Sequence, residues 1–144
     1  ADKHVGNGKP ISVTGIALTG ADAGNYAPNT TASTTADITP RPLAVSATGV
    51  DKVYDGTTAA TVTLSDNRLA GDVFTATYVS ATFADKHVGT AKPVSVSGIS
   101  ISGADAGNYT LASTTAATTA NITAKSLTVT ATGIDKQYDG TAAA

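Results

Sequence analysis

The sequence predicts an all-β protein built as a tandem array of small antiparallel β-sandwich (Ig-like) repeat modules. Three observations predict it. The composition is 26 Thr, 27 Ala, 11 Ser and 14 Gly among 144 residues, with all 11 acidic residues Asp and no Glu, Cys, Met or Trp; Thr, Val and Ile favour strands, and without Glu there is little to sustain helix. Short stretches alternate apolar and polar residues with a period of two, separated by Gly, Asp and Asn every 8–12 residues or so. Finally, the chain repeats itself. Ala1–Gly6 (ADKHVG) returns as 84–89, Gly20–Tyr26 (GADAGNY) returns as 103–109, and Leu43–Thr57 returns as 127–141.

The interval is 83 residues for the first two matches and 84 for the third. The slip falls between Tyr26 and Ala36, where a tolerated insertion implies a loop. Such a period exceeds that of solenoid repeats and suits a small autonomous domain. With a boundary at the Pro-rich joint Thr39-Pro40-Arg41-Pro42, residues 1–42 read as the C-terminal half of a preceding repeat, 43–124 as one complete repeat, and 125–144 as the N-terminal part of the next. The two flanking pieces lack any counterpart of Thr61–Phe83, so they are not one unit divided in two. A unit of about 80 residues with small Ala/Thr faces has a modest core. Strands shared across the Pro40–Pro42 joint, interlocking the units, are therefore expected as an option.

Along one unit, Leu43–Thr48 alternates and reads as a half-buried strand, as does its copy Leu127–Thr132. Asp51-Lys52-Val53-Tyr54-Asp55-Gly56 ends in a tight-turn signal, because Gly accepts positive φ. Ala60–Leu64 resumes the alternation, 66–72 is a loop, and Val73–Phe83 is the longest strand candidate, broken by a bulge. Val94–Ser97 and Ile99–Ser102 alternate on either side of Gly98. The apolar parity changes there, so a bulge at Gly98 returns both halves to one face, and Gly15 does the same in the first copy. Gly107–Leu111 and Ala120–Thr123 close the unit.

Lys52-Val53-Tyr54-Asp55-Gly56-Thr57-Thr58, Phe83–Thr90, Val94–Ile99 and Gly103–Thr110, taken together over the whole chain, resemble the YDG repeat, named for its Tyr-Asp-Gly and akin to the MBG repeats. The resemblance implies a large bacterial secreted or surface protein, often a haemagglutinin-like adhesin exported by two-partner secretion. It attributes no catalytic residue to the repeat. The family usually shows Asn where this chain has His4 and His87, so any special role for histidine belongs to this chain.

Tyr54, Asp55 and Gly56, with their copies Tyr138, Asp139 and Gly140, and the pair Tyr26 and Tyr109 read as turn and core anchors. In a sheet of small side chains a tyrosine fills volume and ties its hydroxyl to backbone. The alternative for Tyr26 and Tyr109 is a sugar-stacking platform in a glycan-binding module using the GADAGNY loops. Asp51, Asp55, Asp105 and Asn108 offer oxygen ligands of the kind Ca²⁺ takes, but no EF-hand or nonapeptide spacing accompanies them. Asp2/His4 and Asp85/His87 supply only two ligands each, too few for a transition-metal site. Lys125 and Asn121 lie close enough to raise an isopeptide cross-link, although the usual catalytic Glu is missing. Asn29, Asn108 and Asn121 match the glycosylation sequon. No nucleophile elbow, phosphate loop or metalloprotease helix is present, so no enzyme is expected.

A net charge of −2 gives nothing to steer the chain toward nucleic acid, and no apolar run is long enough for membrane insertion. The expectation is an extracellular, cell-surface structural repeat, a stalk, spacer or fibre-forming segment. Its partners are neighbouring copies of the same repeat, or alternatively a host or matrix glycan, and it needs no cofactor.

Overall fold

The computed structural model describes residues 2–142. The chain is all-β, with two single-turn 3-10 segments at Ala23–Asn25 and Ala106–Asn108. Its N-terminal part is a two-stranded antiparallel hairpin of β1 (Gly6–Thr14) and β2 (Thr31–Ile38), paired so that Ile11 lies opposite Thr34 and Val13 opposite Ala32. The register jumps between Gly6 and Lys9, where Gly8 takes a φ of 60°.

The next ten strands form one unit. Three short strands open it: β3 (Arg41–Leu43), β4 (Val45–Val50) and β5 (Lys52–Val53). β6 (Thr61–Asp66), β7 (Thr75–Thr77), β8 (Ser80–Phe83), β9 (Gly89–Ser97) and β10 (Ser100–Ser102) follow. β11 (Tyr109–Leu111) and β12 (Thr115–Thr123) complete it. The largest sheet runs β5-β12-β9-β8; β4–β6, β7–β10 and β3–β11 are separate pairs.

Alternation places Val94, Val96, Phe83, Ala81, Ala120 and Ile122 on one face of the large sheet, with Val62, Leu64, Val45 and Ala47 of the β4–β6 pair packed against them. At one end a smaller cluster forms from Leu43, Phe74 and Tyr109, with Ile101 and Leu111 beside it. Gly98, at φ 69°, turns the chain from β9, paired with β8 and β12, to β10, paired with β7. Val94, Val96 and Ile99 remain buried on both sides of that corner, which is what the parity change at Gly98 requires.

Four expectations need correction. The pairing is not purely antiparallel, because β3–β11 and β5–β12 run parallel. The opening segment is drawn back alongside the closing strands by Leu43 and by Asp51, which accepts the Asn121 N–H. The 73–83 stretch is not one strand. Phe74 turns into the smaller cluster, only 75–77 and 80–83 pair, and Val79 between them is exposed. Residues 127–132 form no strand although they copy 43–48; β6 and β12, which hold the first copy, are already occupied. The strand at the Pro-rich joint, β3, pairs within the unit it opens and is not shared across the joint.

Candidate functional site

The Asp-Gly motif forms a self-contained turn. Asp55 Oδ1 accepts the Thr57 N–H and the Thr57 hydroxyl, both at 2.9 Å, and Lys52 Nζ lies 2.9 Å from the same oxygen. The Lys52 ammonium also donates to the carbonyls of Thr57 and Ala59 and lies over the Phe83 ring. Lys52 first, and then the Thr57 N–H, hold the Asp55 carboxyl down to about 2. Gly56 takes φ 83° to close the turn, and the Tyr54 N–H donates to the Thr123 carbonyl. The copy at Lys136, Asp139 and Thr141 keeps the bonds that stay within the turn. This turn is therefore encoded locally and needs no tertiary partner.

The other recurring motifs meet at a joint. In the ADKHVG turn, Asp2 Oδ1 accepts the His4 N–H at 2.9 Å and pairs with Lys9; Asp85, His87 and Lys92 repeat the arrangement. This geometry pushes residues 3–5 outward, onto the complete unit. Lys3 Nζ sits 2.8 Å from Asp72 Oδ1 and 3.6 Å from Asp105 Oδ1. The Val5 N–H donates to Asn108 Oδ1 at 3.1 Å, and Asn108 Nδ2 lies 3.2 Å from His4 Nδ1.

Behind these contacts the Tyr109 hydroxyl donates to Asp72 Oδ2 at 2.6 Å and accepts the Leu69 N–H at 3.0 Å. Asp105, largely buried, accepts the Val73 N–H at 2.8 Å. Lys3, and after it the Tyr109 hydroxyl, hold the Asp72 carboxyl below the usual range; Asp72 in turn raises the Lys3 ammonium and the Tyr109 phenol. A cleft of about 460 Å³ remains at the joint, bounded by Ile38, Arg41, Leu69 and Tyr109.

The sequence-predicted residues are distributed as follows. Tyr109 is 7% exposed, its ring tilted against Phe74 with centroids 5.1 Å apart, so its face is not available to a sugar. Tyr26, its counterpart in the first copy, is 70% exposed. Tyr54 packs against the main core, and Tyr138 is exposed. Neither Tyr26 nor Tyr138 is a core anchor in this chain.

Of the proposed calcium ligands only Asp105 and Asn108 meet, the Asn108 Nδ2 donating to Asp105 Oδ1 at 3.4 Å. Asp51 accepts both the backbone and side-chain N–H of Asn121, Asp55 holds its own turn, and Asp105 and Asn108 belong to the joint. Among the described residues no three His, Cys, Asp or Glu side chains converge as a metal site. The Asn121 amide, raised for cross-linking and glycosylation, is engaged by Asp51 and by the Ala91 N–H. Sequence reasoning missed Lys3, Val5 and Asp72 as one site, since the partners lie about 70–100 residues apart. The joint recurrence of ADKHVG and GADAGNY was the available signal.

The model of the YDG domain matches residues 1–36 and 39–117. The chain belongs to the YDG domain family. No curated protein and no solved structure matches it. No helix among the described residues is long and apolar enough to cross a membrane.

Proposed function

We propose that this YDG chain is a structural, non-catalytic segment of a repeat array, a stalk or spacer in a secreted bacterial adhesin or extracellular matrix protein. Its repeats act as small tandem β-sandwich modules. The observation that carries this reading is the joint. The first ADKHVG and the second GADAGNY, motifs that each occur twice in the chain, meet across a unit boundary through Val5, His4 and Lys3 on one side and Asn108 and Asp105 on the other. Coupling of neighbouring units gives both motifs a structural reason to recur. Proline at positions 40 and 42 restricts the connection further, since it stiffens itself and the residue before it.

Small-angle scattering of the chain, with electron microscopy of concentrated samples, tests the reading. The expected result is an extended particle with the N-terminal hairpin held at one end of the unit. A collapsed or freely jointed distribution overturns it. The glycan-binding alternative rests on the exposed Tyr26 beside a shallow depression of about 340 Å³ along the Gly20–Ala23 turn. Glycan-array binding abolished by Tyr26→Ala would favour that reading.

A further inference from the structure

The complete unit contains a docking event that the rest of the chain is equipped to repeat. Within it, the segment Leu43–Thr57 lies along the β9–β12 hairpin. Leu43 is fully buried, and β3 pairs with β11. Gly49 sits so close to Thr119 and Ala120 that there is no room for a Cβ, and its N–H donates to Thr118 Oγ1 at 3.3 Å. Asp51 closes the contact by accepting the Asn121 N–H at 2.7 Å and the Asn121 Nδ2 at 2.8 Å.

Both halves of this contact occur a second time, unassembled. Leu127–Thr141 differs from Leu43–Thr57 at only four positions (Ala44/Thr128, Ser46/Thr130, Val50/Ile134 and Val53/Gln137). It forms no strand, and its Leu127, Val129 and Ile134 are all more than 80% exposed. The β1–β2 hairpin copies β9–β12, with Ile11, Val13 and Ile38 in place of Val94, Val96 and Ile122. The first three are 37–42% exposed and the second three 1–2%. Gly133 and Asp135 occupy the places of Gly49 and Asp51 in the strand. Thr34, Thr35 and Ala36 occupy those of Thr118, Thr119 and Ala120 in the hairpin.

One position differs in chemistry. Asn121 is replaced by Asp37. Both use Oδ1 in the same way, Asn121 accepting the Ala91 N–H at 2.8 Å and Asp37 the Gly8 N–H at 2.7 Å. Each donor is a residue in left-handed conformation at the hairpin's bulge. The remaining atom differs: Asn121 points an N–H donor at the incoming aspartate, whereas Asp37 offers a second carboxylate oxygen.

We propose that the Leu127–Thr141 segment of a second copy docks on the β1–β2 hairpin in the register used by Leu43–Thr57, and that residue 37 sets the strength of this contact. This deepens the repeat-array reading by naming a partner for its hairpin, and it rests on that reading. With Asp37 facing Asp135, two carboxylates share one site, and they tolerate each other only when one holds a proton. Nearby charges do not relieve the pair. Lys9, on β1, is engaged by Asp2 and the His4 carbonyl, and Lys136, next to Asp135, is engaged by Asp139 and Thr141. Docking is therefore weak at neutral pH and strengthens with acid. An Asn at position 37 admits the strand at either pH. The Asn/Asp choice thus decides which hairpins accept a foreign strand, a discrimination by repulsion.

Sedimentation velocity of the whole chain over a concentration series, at pH 7.5 and pH 4, tests this. Wild type should associate more strongly at pH 4. Asp37→Asn, and independently Asp135→Asn, should raise the association constant at pH 7.5 by about tenfold, the scale of one restored charge-assisted hydrogen bond, and flatten the pH dependence. Leu127→Asp/Val129→Asp should abolish association while leaving the melting temperature unchanged, because both side chains are more than 80% exposed in the free chain. The proposal falls if the Asn variants stay monomeric, or if association is indifferent to the Leu127/Val129 change. Either failure leaves the scattering test of the joint untouched, so the docking and spacer readings are separable.

Discussion

Gly49 and its copy Gly133 carry the same residue in the same local sequence, yet the structure makes opposite demands of them. A Cβ on Gly49 would stand 2.5 Å from the Thr119 carbonyl oxygen and 2.9 Å from the Ala120 Cβ. Both obstacles are fixed to strand β12, so neither can swing aside. Gly49→Ala should therefore destabilise the protein by about 1–3 kcal/mol, the range for overpacking a well-filled interface. Gly133, with nothing within 4 Å, should accept Ala with no measurable change. Paired urea titrations of the two variants check this, and equal effects would show that the β4–β12 approach is looser than described. No sequence argument separates these glycines, because the difference lies in what a strand some 70 residues away does. The break at Gly98 was readable from the parity of the valines and isoleucines around it, but it was read as a bulge, whereas the chain there passes from one sheet to another and comes too close to Val79 for a Cβ.

Among the elements, the Tyr-Asp-Gly turn shows how far a local code reaches. Its bonds run within six residues of sequence and reappear at Lys136–Thr141, where no strand forms. In the complete unit the turn is also tied to the sheet, since Lys52 pairs with Ile122 across β5–β12. The Asp55 carboxyl, held down to about 2 by Lys52 and the Thr57 N–H, is lowered on folding. Its contribution is thus present in full above the ordinary carboxylate value of 3.8 and is lost as the pH falls from there toward 2. Asp55→Asn should lower stability at pH 7 and show a smaller further loss between pH 4 and pH 2 than wild type, read from thermal melts across that window. An unchanged acid slope would contradict it. The strands were legible from period-two alternation wherever one face is buried, as in β4, β6 and β9. The two parallel pairings were not, because β3 and β5 are too short to carry a pattern and find their partners about 70 residues on. The 73–83 stretch failed for a related reason: Phe74 and Val79 fit a strand by composition, but tertiary packing claims the first and leaves the second in solvent.

At the scale of the whole molecule, the hairpin and the unit are joined by a few polar contacts around Asp72 and Asn108 and by a short Pro-containing connection. Lys3 is largely exposed, so its ion pair alone is a weak fastener in water. Asp72 is the better-shielded partner, and it also holds the Tyr109 hydroxyl, which links the joint to the Leu43–Phe74–Tyr109 cluster. Lys3→Glu places a third carboxylate beside Asp72 and Asp105, and Asn108→Ala removes the acceptor of the Val5 N–H. Either should release the turn at residues 2–5 without unfolding the unit. Native-state hydrogen exchange resolves the two events, because local opening and global unfolding protect different amides. The Val5 amide should exchange markedly faster in both variants, while Val94, Val96 and Ile122, deep in the main core, keep their wild-type protection. Loss of protection throughout would mean that the joint is part of the unit's own stability. Wild-type exchange at Val5 in both variants would mean that the Pro40–Pro42 connection and β3, acting alone, hold the hairpin in place.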